Sequence, residues 1–180
     1  MKYMFASDVH GSAYYCRKML DAYKEEKAER LVLLGDLLYH GPRNDLPREY
    51  APKQVISMLN DMKKEIYAVR GNCEAEVDQM VLQFPVMADY CILNLDGRTF
   101  YATHGHIYNE NNLPPIQEGD ILIHGHTHVL KAEQKEGYVL LNPGSVSIPK
   151  EGNPPTYAIF EDSVFTIKDF EGNIVKSIEL

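Results

Sequence analysis

The chain has 180 residues, 44% of them apolar, and its formal net charge is −8. This length and apolar content predict one globular domain, residues 1–180, with enough chain to bury a sizeable core. The negative charge argues against a dedicated nucleic-acid binder, and no apolar run approaches the roughly 20 residues of a membrane span.

Strands and helices alternate in the first part of the chain. Residues 3–7, 30–34 and 66–69 are short apolar runs that predict strands. Ser12 is suited to cap a helix whose apolar positions recur every three or four residues, and Pro52 suits the first turn of a second helix. A short third helix is predicted over residues 77–82.

After Pro85, strands mostly follow strands. Asp96-Gly97 predicts a tight hairpin between strands at residues 91–95 and 99–102. Further strands are predicted at residues 121–123, 138–141, 157–160, 164–167 and 174–178. Alternating strands and helices, followed by a run of strands, predict two packed sheets flanked by helices. This arrangement is a four-layer α/β/β/α sandwich.

Potential metal ligands follow five of the predicted strands. They are Asp8 and His10, Asp36, Asn72, His104, and His126 and His128. In open α/β sheets, ligands bind outside the carboxyl ends of the strands. Each residue alone has an ordinary explanation as a turn, cap or core residue. Together they combine carboxylate, amide and imidazole donors, which suit manganese, iron, zinc or nickel better than calcium or magnesium.

The cysteines and the N-terminal residues indicate the cellular location of the protein. Cys16, Cys73 and Cys91 are widely spaced and odd in number, so neither a disulfide framework nor a thiolate zinc site is indicated. The stretch before Asp8 is too short for a secretory signal. We therefore expect a cytoplasmic protein, with a homo-oligomer left open.

These motifs resemble the calcineurin-like metallophosphoesterase superfamily, whose pattern is Asp-x-His, Gly-Asp, Gly-Asn-His-Asp/Glu, His and Gly-His-x-His. The blocks occur in order between Asp8 and His128. Residues 7–11, 41–44, 70–74, 125–128 and 142–149 further resemble the bacterial YfcE-type phosphodiesterases. The resemblance implies the metallophosphoesterase sandwich and a hydrolase acting on a small phosphodiester, in which hydroxide generated at a dinuclear centre attacks the phosphorus in line.

The resemblance also implies an arrangement of the ligands. Asp8, His10 and His128 would hold one ion. Asn72, His104 and His126 would hold the other, and Asp36 would bridge the two. Manganese is the first choice of ion, with zinc, iron or nickel as alternatives. Asp36 and Asn72 are thereby expected to be catalytic as well.

Cys73 departs from the superfamily pattern, which has histidine after Gly-Asn. A thiol is a weak donor and carries no positive charge, so we expect poor help to a basic leaving group and a preference for diesters over alkyl monoesters. Cys73 is therefore a candidate catalytic residue, with simple packing as the alternative.

Three further residues are candidates for substrate binding. Arg43 and Asn44 lie in a polar loop, and arginine suits bidentate phosphate contact, although a solvated loop arginine is an equal alternative. His106, like His124, lies beside ligands and suits a supporting role or the cleft wall.

Two other functions stay open: a non-catalytic protein-binding scaffold of the retromer-subunit type, and a phosphomonoesterase with the same metal centre.

Overall fold

The computed structural model describes all 180 residues, Met1–Leu180. Eleven strands and three helices follow along the chain: β1 (Tyr3–Ala6), α1 (Ala13–Glu25), β2 (Arg30–Leu33), α2 (Pro52–Asp61), β3 (Ile66–Ala68), α3 (Glu76–Val81), β4 (Tyr90–Leu95), β5 (Arg98–Thr103), β6 (Asp120–Ile123), β7 (Lys131–Gln134), β8 (Tyr138–Asn142), β9 (Thr156–Glu161), β10 (Val164–Asp169) and β11 (Ile174–Glu179). No helix is both long and apolar enough to cross a lipid bilayer.

The first sheet has six strands in the order β11-β10-β9-β1-β2-β3. β1, β2 and β3 pair in parallel, because the segments containing α1 and α2 return the chain to the same end of the sheet. The Ser12 hydroxyl accepts a hydrogen bond from the Tyr15 backbone N–H and caps α1, as predicted. β9, β10 and β11 extend the sheet by antiparallel pairing.

The second sheet has five strands in the order β4-β5-β6-β8-β7. The predicted β4–β5 hairpin is confirmed, and both Asp96 and Gly97 have positive φ, as a type I′ turn requires. β7 was not predicted. Its sequence, Lys-Ala-Glu-Gln, buries only Ala132, so it gives almost no apolar signal.

Two apolar clusters hold the layers together. One lies between the sheets and includes Phe5, Phe100 and Phe160, all fully buried. The other packs α1 and α2 against the outer face of the first sheet. Burial of this kind stabilises a fold by about 25 cal/mol per Å² of apolar surface.

The outer face of the second sheet carries a small third cluster, which Ile116 from the loop between β5 and β6 helps to cover. α3 lies beside α2, where the Asn60 side chain donates to the Val81 carbonyl. The predicted two-sheet α/β sandwich is thus confirmed, with α1 and α2 packed on the first sheet.

Candidate metal centre

All seven predicted ligands lie together at the carboxyl ends of strands from both sheets. Asp8 and His10 follow β1, Asp36 follows β2 and Asn72 follows β3. From the second sheet, His104 follows β5, and His126 and His128 follow β6. Packing the two sheets face to face therefore gathers residues that are up to 120 positions apart in the sequence.

The first group of donors surrounds the Asp8 carboxylate. Oδ1 of Asp8 lies 3.2 Å from Nε2 of His128 and 3.5 Å from Nε2 of His10, and the two imidazole nitrogens are 3.3 Å apart. Asp8 is fully buried, yet its Oδ1 has no hydrogen-bond partner. A buried carboxylate oxygen normally has a hydrogen-bond partner, so the unpaired Oδ1 indicates that Asp8 is placed to bind a cation.

The histidine tautomers support the same interpretation. Nδ1 of His10 donates to the Tyr39 carbonyl at 2.8 Å, that of His128 to the Ile148 carbonyl at 2.7 Å, and that of His104 to the Leu34 carbonyl at 2.6 Å. Since a carbonyl can only accept, Nδ1 carries a proton, which leaves Nε2 of each ring as the nitrogen that can present a lone pair to a cation when the ring is neutral. Backbone partners orient metal-binding histidines in this way.

The second group of donors surrounds His104. Its Nε2 lies 3.1 Å from Oδ1 of Asn72 and 3.3 Å from Nδ1 of His126. Oδ2 of Asp36 is 3.4 Å from the same nitrogen and 3.7 Å from Nε2 of His10. Asp36 therefore reaches both groups, which is the placement that a bridging ligand needs.

The electrostatics of the site reflect crowded donors in a buried environment. Burial disfavours the charged form of Asp8, but the adjacent imidazoles of His10 and His128 outweigh it and hold the pKa of Asp8 well below its usual range. Burial, helped by nearby His104, lowers the pKa of His126 to about 4. A carboxylate that stays ionised beside a neutral imidazole is a suitable ligand pair for a divalent ion.

The backbone at the site is strained. Five of the seven ligands have left-handed φ angles: Asp8 (60°), His10 (49°), Asp36 (56°), His126 (64°) and His128 (60°). Such a conformation costs about 1 to 2 kcal/mol for a residue with a Cβ, so neighbouring contacts must maintain it. The hydroxyls of Ser145 and Ser147 both donate to the Asp8 carbonyl at 3.0 Å. Residues 142–149, which carry part of the family resemblance, thus support the turn that holds Asp8.

Glu74 joins two ligand turns, and sequence reasoning missed it. Its carboxylate accepts from the backbone N–H groups of Gly71 at 2.6 Å, Asp36 at 2.8 Å and Leu37 at 2.7 Å. A Cβ at position 71 would collide with both Asp36 and Glu74, so only glycine fits. Burial, and then the nearby charge of Asp36, raises the pKa of Glu74 to about 7. Its position in the Gly-Asn-Cys-Glu block was the available signal.

The site opens into a cleft of about 390 Å³. The predicted residues Arg43, Asn44 and Cys73 line it, together with Lys150, which sequence reasoning did not select. His106 does not line the cleft; its ring packs beside those of His104 and His126. The cleft leaves room for a substrate next to Asp36, Asn72, His126 and His128.

Cys73 contributes through both its backbone and its sulfur. Its N–H donates to Oδ1 of Asp36 at 2.9 Å. Its Sγ lies within 4.8 Å of ligand atoms of His10 and Asp36. Cys73 thus faces the donors rather than the apolar core.

The comparisons with known proteins cover almost the whole chain. The family model described as the calcineurin-like phosphoesterase superfamily domain matches residues 1–163. Phosphodiesterase YfcE of Escherichia coli K12 is 46% identical over 167 residues, which cover 93% of this chain and 91% of that protein. The solved structure of the E. coli phosphoesterase YfcE superposes with a TM-score of 0.97 at 43% identity and 99% coverage of each chain.

A more distant likeness concerns the fold alone. Vacuolar Protein Sorting 29 of Cryptosporidium parvum superposes with a TM-score of 0.68 at 17% identity, covering 99% of this chain and 98% of that one.

The family model and the E. coli relative confirm the family that the motifs predicted. This chain belongs to the calcineurin-like phosphoesterase superfamily.

Proposed function

We propose that this chain is a phosphodiesterase that uses two divalent metal ions. The observation that carries the proposal is the position of Asp36, within 3.7 Å of both His10 and His104, at the base of an open polar cleft. The relative named phosphodiesterase YfcE, 46% identical over most of its length, supports the choice of diesters.

The chain's own residues would share the work of holding two ions. Asp8, His10 and His128 would bind one ion; Asn72, His104 and His126 would bind the other; Asp36 would bind both. Bound there, two divalent ions supply an activated water and neutralise charge on the phosphate. The mixed oxygen and nitrogen donors favour manganese as first choice, with zinc, iron or nickel as alternatives.

The remaining residues of the site would hold the donors and the substrate in place. The Cys73 N–H donates to Oδ1 of Asp36. The other oxygen, Oδ2, is then directed toward His10 and His104. Backbone carbonyls fix three imidazoles, so little reorganisation accompanies metal binding. Such preorganisation is a major source of catalytic advantage. No side-chain nucleophile is required.

The test is manganese-dependent release of nitrophenol from bis(p-nitrophenyl) phosphate. We expect activity that chelation abolishes and that added manganese restores. Asp8→Asn should lose most of it, whereas Asp61→Asn, an exposed change on α2, should not. Equal activity with and without bound metal would refute the proposal.

The complete donor set supports catalysis over the non-catalytic scaffold of the retromer-subunit type. The phosphomonoesterase alternative is distinguished by comparing mono- and diesters of the same phenol. The cytoplasmic location stays a prediction from the cysteine pattern and the N-terminal residues.

A further inference from the structure

We propose that the cleft prefers phosphodiesters whose second ester arm carries another anionic group, and that Arg43 and Lys150 recognise that group. This inference rests on the proposed phosphodiesterase function and specifies its substrate class. The anion is a phosphate, phosphonate or carboxylate, all of which present the same kind of acceptor oxygens.

The composition of the cleft wall indicates a polar arm. Of the eleven residues that line the cleft, only one is hydrophobic, and no tyrosine or phenylalanine is among them. A nucleobase gains affinity by stacking on aromatic side chains, and an alkyl chain gains it by burial against apolar ones. The cleft offers no phenyl or phenol ring and only one hydrophobic side chain. The arm that lies in it is therefore held by charge and hydrogen bonds.

The two cations of the cleft are free to bind an anion. Arg43 and Lys150 are its only lysine or arginine residues. Neither has a carboxylate within 4.0 Å, although the chain has 26 acidic residues and pairs many of its other cations with them. An unpaired cation on a concave wall is an available partner for a negative group on a ligand.

Both cations extend from backbone that is fixed close to the metal ligands. Asn44 donates from its side chain to the His40 carbonyl at 2.9 Å and from its backbone to the Gly41 carbonyl at 3.3 Å, which closes the loop around Arg43. The Lys150 N–H donates to the carbonyl of His128 at 3.1 Å. The two side chains thus approach one space from separate segments.

The scissile phosphate alone does not require both cations. A diester carries one negative charge at phosphorus, and two divalent ions in the donor set would already meet it. Arg43 and Lys150 therefore remain available for charge elsewhere on the substrate. The guanidinium of Arg43 suits the paired oxygens of a phosphate or carboxylate.

The experiment uses three p-nitrophenyl diesters that differ only in the second arm: propyl, 3-trimethylammoniopropyl and 3-phosphonopropyl. Since the leaving group is constant, differences in kcat/KM report on recognition of the arm. With the manganese-loaded full chain, we expect the phosphonate arm to be preferred over propyl by about tenfold, the size of one charge-assisted hydrogen bond. The cationic arm should be the poorest.

Variants assign the preference to the two residues. Lys150→Met and Arg43→Met should each lower kcat/KM for the phosphonate diester more than for the propyl diester, and so reduce the preference for the phosphonate arm. Lys150→Glu should favour the cationic arm. Lys53→Met removes the same charge from an exposed site on α2 and should preserve the wild-type order. Calorimetric binding of the products, propyl phosphate and 3-phosphonopropyl phosphate, should show the same order without turnover.

Two results would overturn the inference. One is equal kcat/KM for the propyl and phosphonate diesters in the wild type. The other is a variant that lowers kcat equally for all three diesters, because the cation would then act on the scissile phosphate. Absence of hydrolysis of every diester by the metal-loaded wild type is a different result, which refutes the phosphodiesterase function itself.

Discussion

At the scale of single residues, Cys73 shows how backbone and side chain can do different things. Its N–H holds the carboxylate proposed to bridge the ions, and any residue except proline could supply that hydrogen bond. Its sulfur faces His10 and Asp36. Burial, then the charge of Asp36, raises the pKa of the thiol above its ordinary value, so without metal it stays protonated. The side chain therefore offers a weak donor where the superfamily pattern has an imidazole.

We expect Cys73→His to increase hydrolysis most for esters with poor leaving groups. An imidazolium can protonate a basic leaving oxygen, and general acid help is typically worth about 10²- to 10⁴-fold. The measurement is the rate of wild type and variant across esters of rising leaving-group pKa. Cys91→His, remote from the cleft, is the control. An advantage that stays constant along the series would identify Cys73 as packing only.

At the scale of elements, the turns after β2 and β3 depend on each other. Glu74 accepts backbone N–H groups from both, and these turns carry Asp36 and Asn72. One buried carboxylate therefore replaces the strand pairing that stops where the parallel strands end. The consequence is that a change at Glu74 affects ligands on two strands at once.

We expect Glu74→Gln to lower the free energy of unfolding by about 1 to 3 kcal/mol, because the amide NH₂ of glutamine faces a backbone N–H that loses its acceptor. Urea unfolding of the metal-free protein at a pH above 7, where Glu74 is ionised, measures the loss. Glu76→Gln, exposed on α3, makes the same chemical change without these contacts. Equal urea midpoints for the two variants would contradict the role given to Glu74.

A second element-scale contact joins α1 to the first sheet. Glu26 accepts from the Tyr157 hydroxyl at 3.0 Å and from Lys168 Nζ at 2.6 Å. Burial opposes ionisation of Glu26, but hydrogen bonds with Lys168 and Tyr157 outweigh it and lower its pKa. A carboxyl with a lowered pKa stabilises the fold fully above its unfolded pKa, near 4.3, and this stability is lost as the pH falls through the folded value.

Glu26→Gln should therefore destabilise the protein by about 1 to 2 kcal/mol at neutral pH. The difference from wild type should shrink as the pH falls below about 4. Thermal or urea unfolding across this pH range measures it, and Glu25→Gln, exposed one position earlier, is the control. A difference that persists unchanged in acid would show that the charge of Glu26 is not its source.

At the scale of the whole molecule, the donor set spans both sheets. β1, β2 and β3 precede four of the predicted ligands, and β5 and β6 of the second sheet precede the other three. An ion bound among them connects the sheets at one end of the sandwich, beyond the apolar core that joins them elsewhere. Metal binding should therefore stabilise the complete fold.

We expect manganese to raise the free energy of unfolding by about 2.7 kcal/mol when its concentration is about 100 times the dissociation constant. The thermal midpoint should rise on adding manganese and fall again with chelator. Asp36→Asn should reduce both the rise and the bound metal to fewer than two ions per chain, because Asp36 reaches both donor groups. Two bound ions in that variant would contradict the bridging assignment.

The sequence predicted most of this architecture because its patterns are local. The apolar run of β2, the cap at Ser12 and the Asp96-Gly97 turn each specify their own element. β7 escaped prediction because partners, rather than its own residues, make it a strand. The layer over the second sheet is a loop, whose path depends on tertiary contacts of residues such as Ile116.

The candidate site was predictable to a similar degree and for a similar reason. Ligand residue types at strand ends can be recognised without coordinates, and the structure brings all seven together. Lys150 was not recognised because it follows a Ser-Ile-Pro stretch with no chemical signal and reaches the cleft only through the contact of its backbone with His128. His106 is the opposite case, a residue that was selected but does not line the cleft. It was selected because it is close in sequence to a predicted ligand, but its ring packs beside that of His126.

The left-handed ligand residues set activity against stability. Glycine at any of these five positions would relieve roughly 1 kcal/mol of backbone strain and would delete a donor in the same step. Selection for heat resistance in the absence of metal would favour glycine most at His126, because the side chains of the other four residues hydrogen-bond to backbone groups. A lineage that is no longer selected for hydrolysis would gain stability from the same change, so loss of a metal donor would stabilise the remaining fold.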